Sequence, residues 1–114
     1  AQANYNGTHS YGTPDCGART GDYRGKTTPV GSFAPNPWKL HDTMGNVWEW
    51  TCSLFDKSYS GAETRCTENN TVGPRSLRGG SWGYFPARVR SASRDGNAPS
   101  NRLDYVGFRL ARSL

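Results

Sequence analysis

Arg78-Gly79-Gly80-Ser81-Trp82, answered after an interval by Gly107-Phe108-Arg109-Leu110-Ala111, is the stretch whose reading decides the fold. Glycine, proline and arginine recur across it as a frame: Gly79, Gly80, Trp82, Pro86, Arg90, Arg94, Pro99, Arg102, Gly107 and Arg109. The residues between them are a mixture of aromatic, small and polar types, such as Gly83-Tyr84-Phe85 and Asp95-Gly96-Asn97-Ala98. A stiff frame carrying assorted side chains reads as a binding face more than as a reaction centre.

Outward from that stretch, the bulk composition sets limits. The chain has 114 residues, one domain or part of one. Only 33% are hydrophobic, so the core must draw on four Trp, six Tyr and four Phe. A chain this short of aliphatic side chains needs staples or belongs to a larger domain. No apolar run is long enough to cross a bilayer. Ala1 is not an initiator Met, which leaves room for an upstream segment.

Charge is uneven. Residues 75–114 carry eight Arg against two acids, Asp95 and Asp104, while residues 1–74 are nearly balanced. A basic surface raises the question of nucleic acid, but these arginines stand singly and irregularly among Gly and Ser, without a helical stripe or a known motif. Arginine's planar five-donor fork suits tying loops to carbonyls and carboxylates, so no nucleic-acid partner is expected. Of the three cysteines, Cys16, Cys52 and Cys66, none forms a C-x-x-C pair, and His9 and His41 are isolated, which argues against zinc. Cys52 and Cys66 bracket a polar loop. They either close it as a disulfide, favouring a cell-surface or secreted protein, or remain separate thiols in a reducing compartment. The compartment itself stays open.

Residues 1–28 read as loop, Ala34-Pro35-Asn36-Pro37 and Asp42-Thr43-Met44-Gly45-Asn46 as turns, and residues 53–74 as a long polar loop. Alternation predicts strands at Val47–Thr51, Leu77–Trp82, Arg88–Ser93 and Val106–Ala111, the last with Phe108 and Leu110 on one face. No helix of any length is predicted. The fold class is therefore loop-rich α+β, with short antiparallel strands and little helix.

The ordered blocks Thr28-Pro29-Val30-Gly31-Ser32-Phe33, Leu40-His41-Asp42 followed by Gly45-Asn46-Val47-Trp48-Glu49-Trp50, Arg78-Gly79-Gly80-Ser81-Trp82, and Gly107-Phe108-Arg109-Leu110 resemble the formylglycine-generating-enzyme (sulfatase-modifying factor) family. The resemblance implies a variant of the C-type lectin fold. Family domains are about twice as long, so residues 1–114 correspond to a single shortened domain or to the C-terminal half. The resemblance also implies a copper oxidase with two cysteines shortly after the Gly-Gly-Ser block. Here Trp82 to Arg90 contains no cysteine, and a soft Cu(I) site needs thiolates, so no catalytic residue and no catalytic cofactor are expected. An iron-dependent sulfoxide-synthase branch has a similar frame, but takes its iron from histidines of another domain. An oxidoreductase domain whose catalytic residues lie elsewhere is thus the competing expectation.

The branch matched best is the variable proteins of diversity-generating retroelements, which display a hypervariable face on this frame. In such systems Asn codons ending in a pyrimidine cannot mutate to Lys, Glu, Gln, Met or Trp. Residues 83–106 contain none of these five types, whereas the rest of the chain holds twelve. Composition alone gives about three in that window, although a Pro/Gly-rich loop is also depleted in them. The expected function is a non-enzymatic display module that binds a protein or other macromolecule through residues 83–106. The expected contacts are Gly83, Tyr84, Phe85, Ala87, Arg88, Ser93, Asp95, Asn97, Asn101, Leu103, Asp104 and Tyr105, over a floor of Trp48, Trp50, Trp82, Arg90, Arg94 and Arg109.

The resemblance further implies structural Ca²⁺. Asp42, the Gly45 and Val47 carbonyls and Glu49 match one site; Asn4, the Tyr5 carbonyl, Asp22 and the Arg24 carbonyl match a second. A hard cation wants six or more oxygens, and a glycine turn between two carboxylates supplies that chemistry. The alternative is that Asp42 caps its turn and Glu49 pairs with an arginine.

Overall fold

A computed structural model describes residues 3–12 and 19–112. Cys16 and the Thr13-Pro14-Asp15 part of the expected N-terminal loop lie outside the described residues. Four strands form one sheet: β1 (Trp48–Leu54), β2 (Arg75–Arg78), β3 (Arg94–Asn97) and β4 (Val106–Gly107), in the order β3-β2-β1-β4. The β1–β2 and β2–β3 pairs are antiparallel and the short β1–β4 pair is parallel. Among the described residues the remaining regular structure is two 3₁₀ turns, Ala62–Thr64 and Pro86–Arg88. The loop-rich, nearly helix-free architecture is the one expected.

The strand positions agree with the expectation unevenly, for local reasons. Trp48-Glu49-Trp50-Thr51 is rich in residues that fit a pleated, half-buried surface, and β1 continues through Leu54. β2 stops before Gly79-Gly80, because Gly80 takes a left-handed φ of 74° and a Cβ there would sit 2.7 Å from the Arg88 carbonyl oxygen. The strand expected at Arg88–Ser93 is displaced to Arg94–Asn97. Pro86 presets a 3₁₀ turn, and the Ser93 N–H closes a second turn on the Arg90 carbonyl at 2.9 Å. The fourth strand is reduced to Val106–Gly107, and Phe108 and Leu110 are 73% and 91% exposed. Their alternation promised a buried face, but no described element covers it.

The apolar core is small: Trp48 and Leu77 are the buried hydrophobic side chains among the described residues. Much of the interior is polar instead. Asn46, at φ 64°, accepts bonds on Oδ1 from the Thr28 N–H (2.9 Å) and Asn4 Nδ2 (3.2 Å), and its Nδ2 donates to the Thr28 carbonyl at 3.2 Å. Its backbone joins the Asn4 carbonyl and the Trp82 N–H. Gly45 next to it permits the approach, because a Cβ there would collide with the Asn4 carbonyl oxygen. Buried polar groups are nearly always hydrogen-bonded, and the bonds of this hub order segments that composition alone reads as loop.

A disulfide joins Cys52 and Cys66, with Cα atoms 4.7 Å apart, and closes the loop between them. No helix of the described residues is long and apolar enough to cross a membrane.

Candidate ligand-binding site

Strand alternation and register assign the two faces of the sheet. Trp48, Trp50, Leu77, Asp95 and Val106 share one face; Glu49, Arg78 and Arg94 share the other. On the first face, buried Trp48 is the floor. Tyr84 stands edge-on to it at 5.5 Å between ring centroids, and Tyr105 stands edge-on to Tyr84 at 6.3 Å. The Arg88 guanidinium lies 5.9 Å from the Tyr84 ring centre and 3.5 Å from the Asp95 carboxylate. Backbone bonds fix both tyrosines: the Tyr84 carbonyl accepts from Asn6 N–H, and the Tyr105 carbonyl accepts from Trp48 N–H.

Four of the expected contact residues, Tyr84, Arg88, Asp95 and Tyr105, therefore meet in one cluster although the chain separates them. Gly83, Phe85, Ala87, Asn101 and Asp104 are exposed. Phe85 lies 5.9 Å from His9, beside the cluster. Asn101 and Leu103 line a separate hollow of about 520 Å³ with Trp50 and Phe108. Asn97 Oδ1 is used within its own turn, accepting from the Ala98 N–H and Asn101 Nδ2. Ser93 is 7% exposed and belongs to the interior, where the turn from Arg90 draws it in. Space separates replaceable positions from fixed ones. A Cβ on Gly83 meets nothing within 4 Å, whereas one on Gly96 runs into the Phe55 ring.

The opposite face is stapled. Glu63, with its side chain 2% exposed, bonds Arg94, Arg78 (3.2 Å), the Ser76 hydroxyl (2.9 Å) and the Asp56 N–H (3.3 Å). Arg94 also donates to the Asp56 carbonyl and stacks 4.4 Å from the Tyr59 ring centre. Residues 53–74 therefore do structural work that the polar-loop reading missed. The available signal was a pair of carboxylates, Asp56 and Glu63, between two cysteines and ahead of an arginine-rich stretch. The expected arginine floor is not beneath the contact residues: Arg94 and Arg109 pin loops on this opposite face, and Arg90 does neither, being exposed and without a partner among the described residues.

The two expected metal positions differ. Arg109 donates to both Glu49 oxygens and to the Asp42 carbonyl, while the Asp42 carboxylate accepts the Gly31 N–H at 2.7 Å. The donors are all oxygen, as a hard cation requires, but a cation could take Glu49 only by displacing Arg109. The same contact raises the Arg109 pKa above its ordinary value, first through the Glu49 hydrogen bond. At the second position, Asn4 is 1% exposed and its Oδ1 has no partner. Bonds from Gly7 N–H to the Asp22 carbonyl and from Gly21 N–H to the Gly7 carbonyl hold the two contributing segments together. The buried acceptor without a donor suits an oxygen ligand, but the Asp22 carboxylate of this position, like Glu49, is paired with an arginine, Arg24 at 3.3 Å. Among the described residues, no three His, Cys, Asp or Glu side chains gather at one point.

With this geometry in view, the family match is informative. The family described as Sulfatase-modifying factor enzyme 1-like domain matches residues 2–114. The chain belongs to that family. The inactive C-alpha-formylglycine-generating enzyme 2 of Mus musculus is 39% identical over 92 residues, covering 75% of this chain and 26% of that protein. PvdO from Pseudomonas aeruginosa has a similar structure, with a TM-score of 0.67 at 31% identity over 94% of this chain and 37% of that one. Treponema denticola variable protein 1 shares the fold, with a TM-score of 0.64 at 23% identity over 94% of this chain and 34% of its own. The chain spans about a quarter of the length of the curated relative and just over a third of each solved structure. In this member of the sulfatase-modifying factor family, the block after Gly79-Gly80-Ser81 holds Tyr84 against Trp48 and carries no cysteine.

Proposed function

We propose that this chain is a non-catalytic ligand-binding module of the sulfatase-modifying factor family, with residues 83–106 as a variable display region of the diversity-generating-retroelement kind. The observation that carries the reading is the convergence of Tyr84, Arg88, Asp95 and Tyr105 over buried Trp48, on the face of the sheet away from the Glu63 staple. Such a face suits a macromolecular ligand. Tyrosines offer large area with few torsions to freeze, and a floor already fixed avoids the cost of ordering a loop on binding. The lack of Lys, Glu, Gln, Met and Trp across residues 83–106 supports variability, as does the open space at Gly83.

A library varied at Gly83, Phe85, Ala87, Asn101 and Asp104 tests this directly. Displayed on cells, most members should fold, and selection against an immobilised protein should enrich binders. A library that mostly fails to fold, or never yields a binder, contradicts the reading. The second reading, a domain of an oxidoreductase with its catalytic residues elsewhere, is favoured by the fraction of its relatives' length that the chain covers. An adjoining coding segment with a His triad or paired cysteines would decide for it.

Two accessory features belong to the proposal. The Cys52–Cys66 disulfide fits a cell-surface or secreted setting. Structural Ca²⁺ would be held by Asn4, the Tyr5 carbonyl, Asp22 and the Arg24 carbonyl, and by Asp42, the Gly45 and Val47 carbonyls and Glu49 once Arg109 is displaced. Millimolar Ca²⁺ should raise the melting temperature above its value in chelator, and Asn4→Ala with Glu49→Gln should abolish the rise. Equal melting of the wild type in both media would remove calcium from the account.

A further inference from the structure

One arginine of the frame stands apart. Arg75 bonds the carbonyls of Gly73, Glu68 and Thr71; Arg78 and Arg94 bond Glu63; Arg88 bonds Asp95; Arg102 bonds the Pro99 and Asn101 carbonyls; Arg109 bonds Glu49. Arg90 is exposed and makes no such bond among the described residues. It lies on the wall of a cleft of about 650 Å³, with Tyr5, Met44, Pro86 and Val89 as its apolar neighbours. The volume falls within the usual range for small-molecule sites, which are mostly apolar with a few polar groups that fix orientation. A guanidinium that no other described residue engages offers a planar fork for a carboxylate.

We propose that this cleft binds an apolar carboxylate, its hydrocarbon body against Tyr5, Met44, Pro86 and Val89 and its carboxylate on Arg90. The same chemistry is presented by a free aromatic acid and by an apolar residue at the C-terminus of a peptide. The walls belong to the N-terminal segment, the Asp42–Asn46 turn and residues 86, 89 and 90; Pro86 and Arg90 are frame positions and Val89 is not one of the expected contacts, so the site uses none of the positions proposed to vary.

Met44 is the chain's single methionine, so labelling methionine methyl groups gives one NMR signal; Met44 also borders a hollow beside Pro35 and Leu40, and the Arg90 variant assigns the shift to this cleft. Titration with N-acetyl-phenylalanine at millimolar concentration should shift it, and N-acetyl-phenylalaninamide should bind about threefold more weakly, the size expected for an exposed charge pair. Arg90→Gln should remove the difference between acid and amide while leaving the affinity for the amide unchanged. A tripeptide ending in Phe, run alongside, tells the sources apart: tighter binding than the free acid identifies a peptide terminus, and weaker binding identifies a small acid. An unmoved Met44 signal, equal affinity for acid and amide, or a preference that survives Arg90→Gln would overturn the proposal.

Discussion

At the scale of single residues, stability is concentrated in polar groups. Asn46 is 5% exposed, with hydrogen bonds reaching Asn4 and Thr28 and a backbone in the left-handed region that Asn tolerates. Asn46→Ala strands buried partners and places Ala in that strained conformation. It should cost about 2–4 kcal/mol in denaturant unfolding. Asp56 is a different case. Hydrogen bonds from the Ser60 hydroxyl, then the Ser60 and Ser58 N–H groups, hold its carboxyl below the usual 3.8. A folded pKa depressed in this way contributes stability that is complete above about pH 4 and is lost as pH falls through the folded value. Melting of the wild type should therefore decline more steeply below pH 4 than melting of Asp56→Asn. The sequence made Asp42 and Glu49 visible as a pair, and left open whether they held a cation or whether Asp42 capped its turn and Glu49 paired with an arginine, which the structure identifies as Arg109. It hid Glu63, and named Asn4 only as a ligand of the second metal position and not as part of a buried hub, because nothing local distinguishes a buried Asn or Glu from a solvated one; their partners are brought from distant segments by the fold.

At the scale of elements, legibility followed local chemistry. β1 could be read because Trp48-Glu49-Trp50 alternates; β2 was expected at Leu77–Trp82 but runs Arg75–Arg78, because the two glycines read as part of the strand end it. The strand expected at Arg88–Ser93 was displaced because its alternation was of small against large residues, with no apolar face behind it, while Pro86 enforced a turn. The strand at Val106–Ala111 was shortened because periodicity predicts a face and cannot supply a neighbour. The loop between Cys52 and Cys66 was read as polar filler, yet it delivers Glu63 beneath β2 and β3. The disulfide closes a sequence separation of 14 residues, for which chain-entropy reasoning gives about 3 kcal/mol. Reduction, or Cys52→Ser with Cys66→Ser, should lower the melting temperature by on the order of 10 °C. Amide exchange should quicken first in β2 and β3, where the staple is anchored. An unchanged melting temperature would show that Glu63 finds its arginines without the tether.

At the scale of the whole molecule, the sheet divides the work. One face is locked by Glu63, Arg78 and Arg94, and the other carries Tyr84, Arg88, Asp95 and Tyr105 over Trp48. The apolar core is too slight to hold so much loop, so polar hubs, arginine forks and a disulfide take over that role. The proposed display role requires that the side chains above the locked frame be free to differ. Thermal unfolding of a variant carrying Gly83→Ser, Phe85→Ser, Ala87→Ser and Asp104→Ser together tests it most directly. Surface replacements away from pinned groups each change stability by within about 0.5 kcal/mol. The account predicts that this fourfold variant melts within about 5 °C of the wild type; a collapse as deep as that of Asn46→Ala would contradict it.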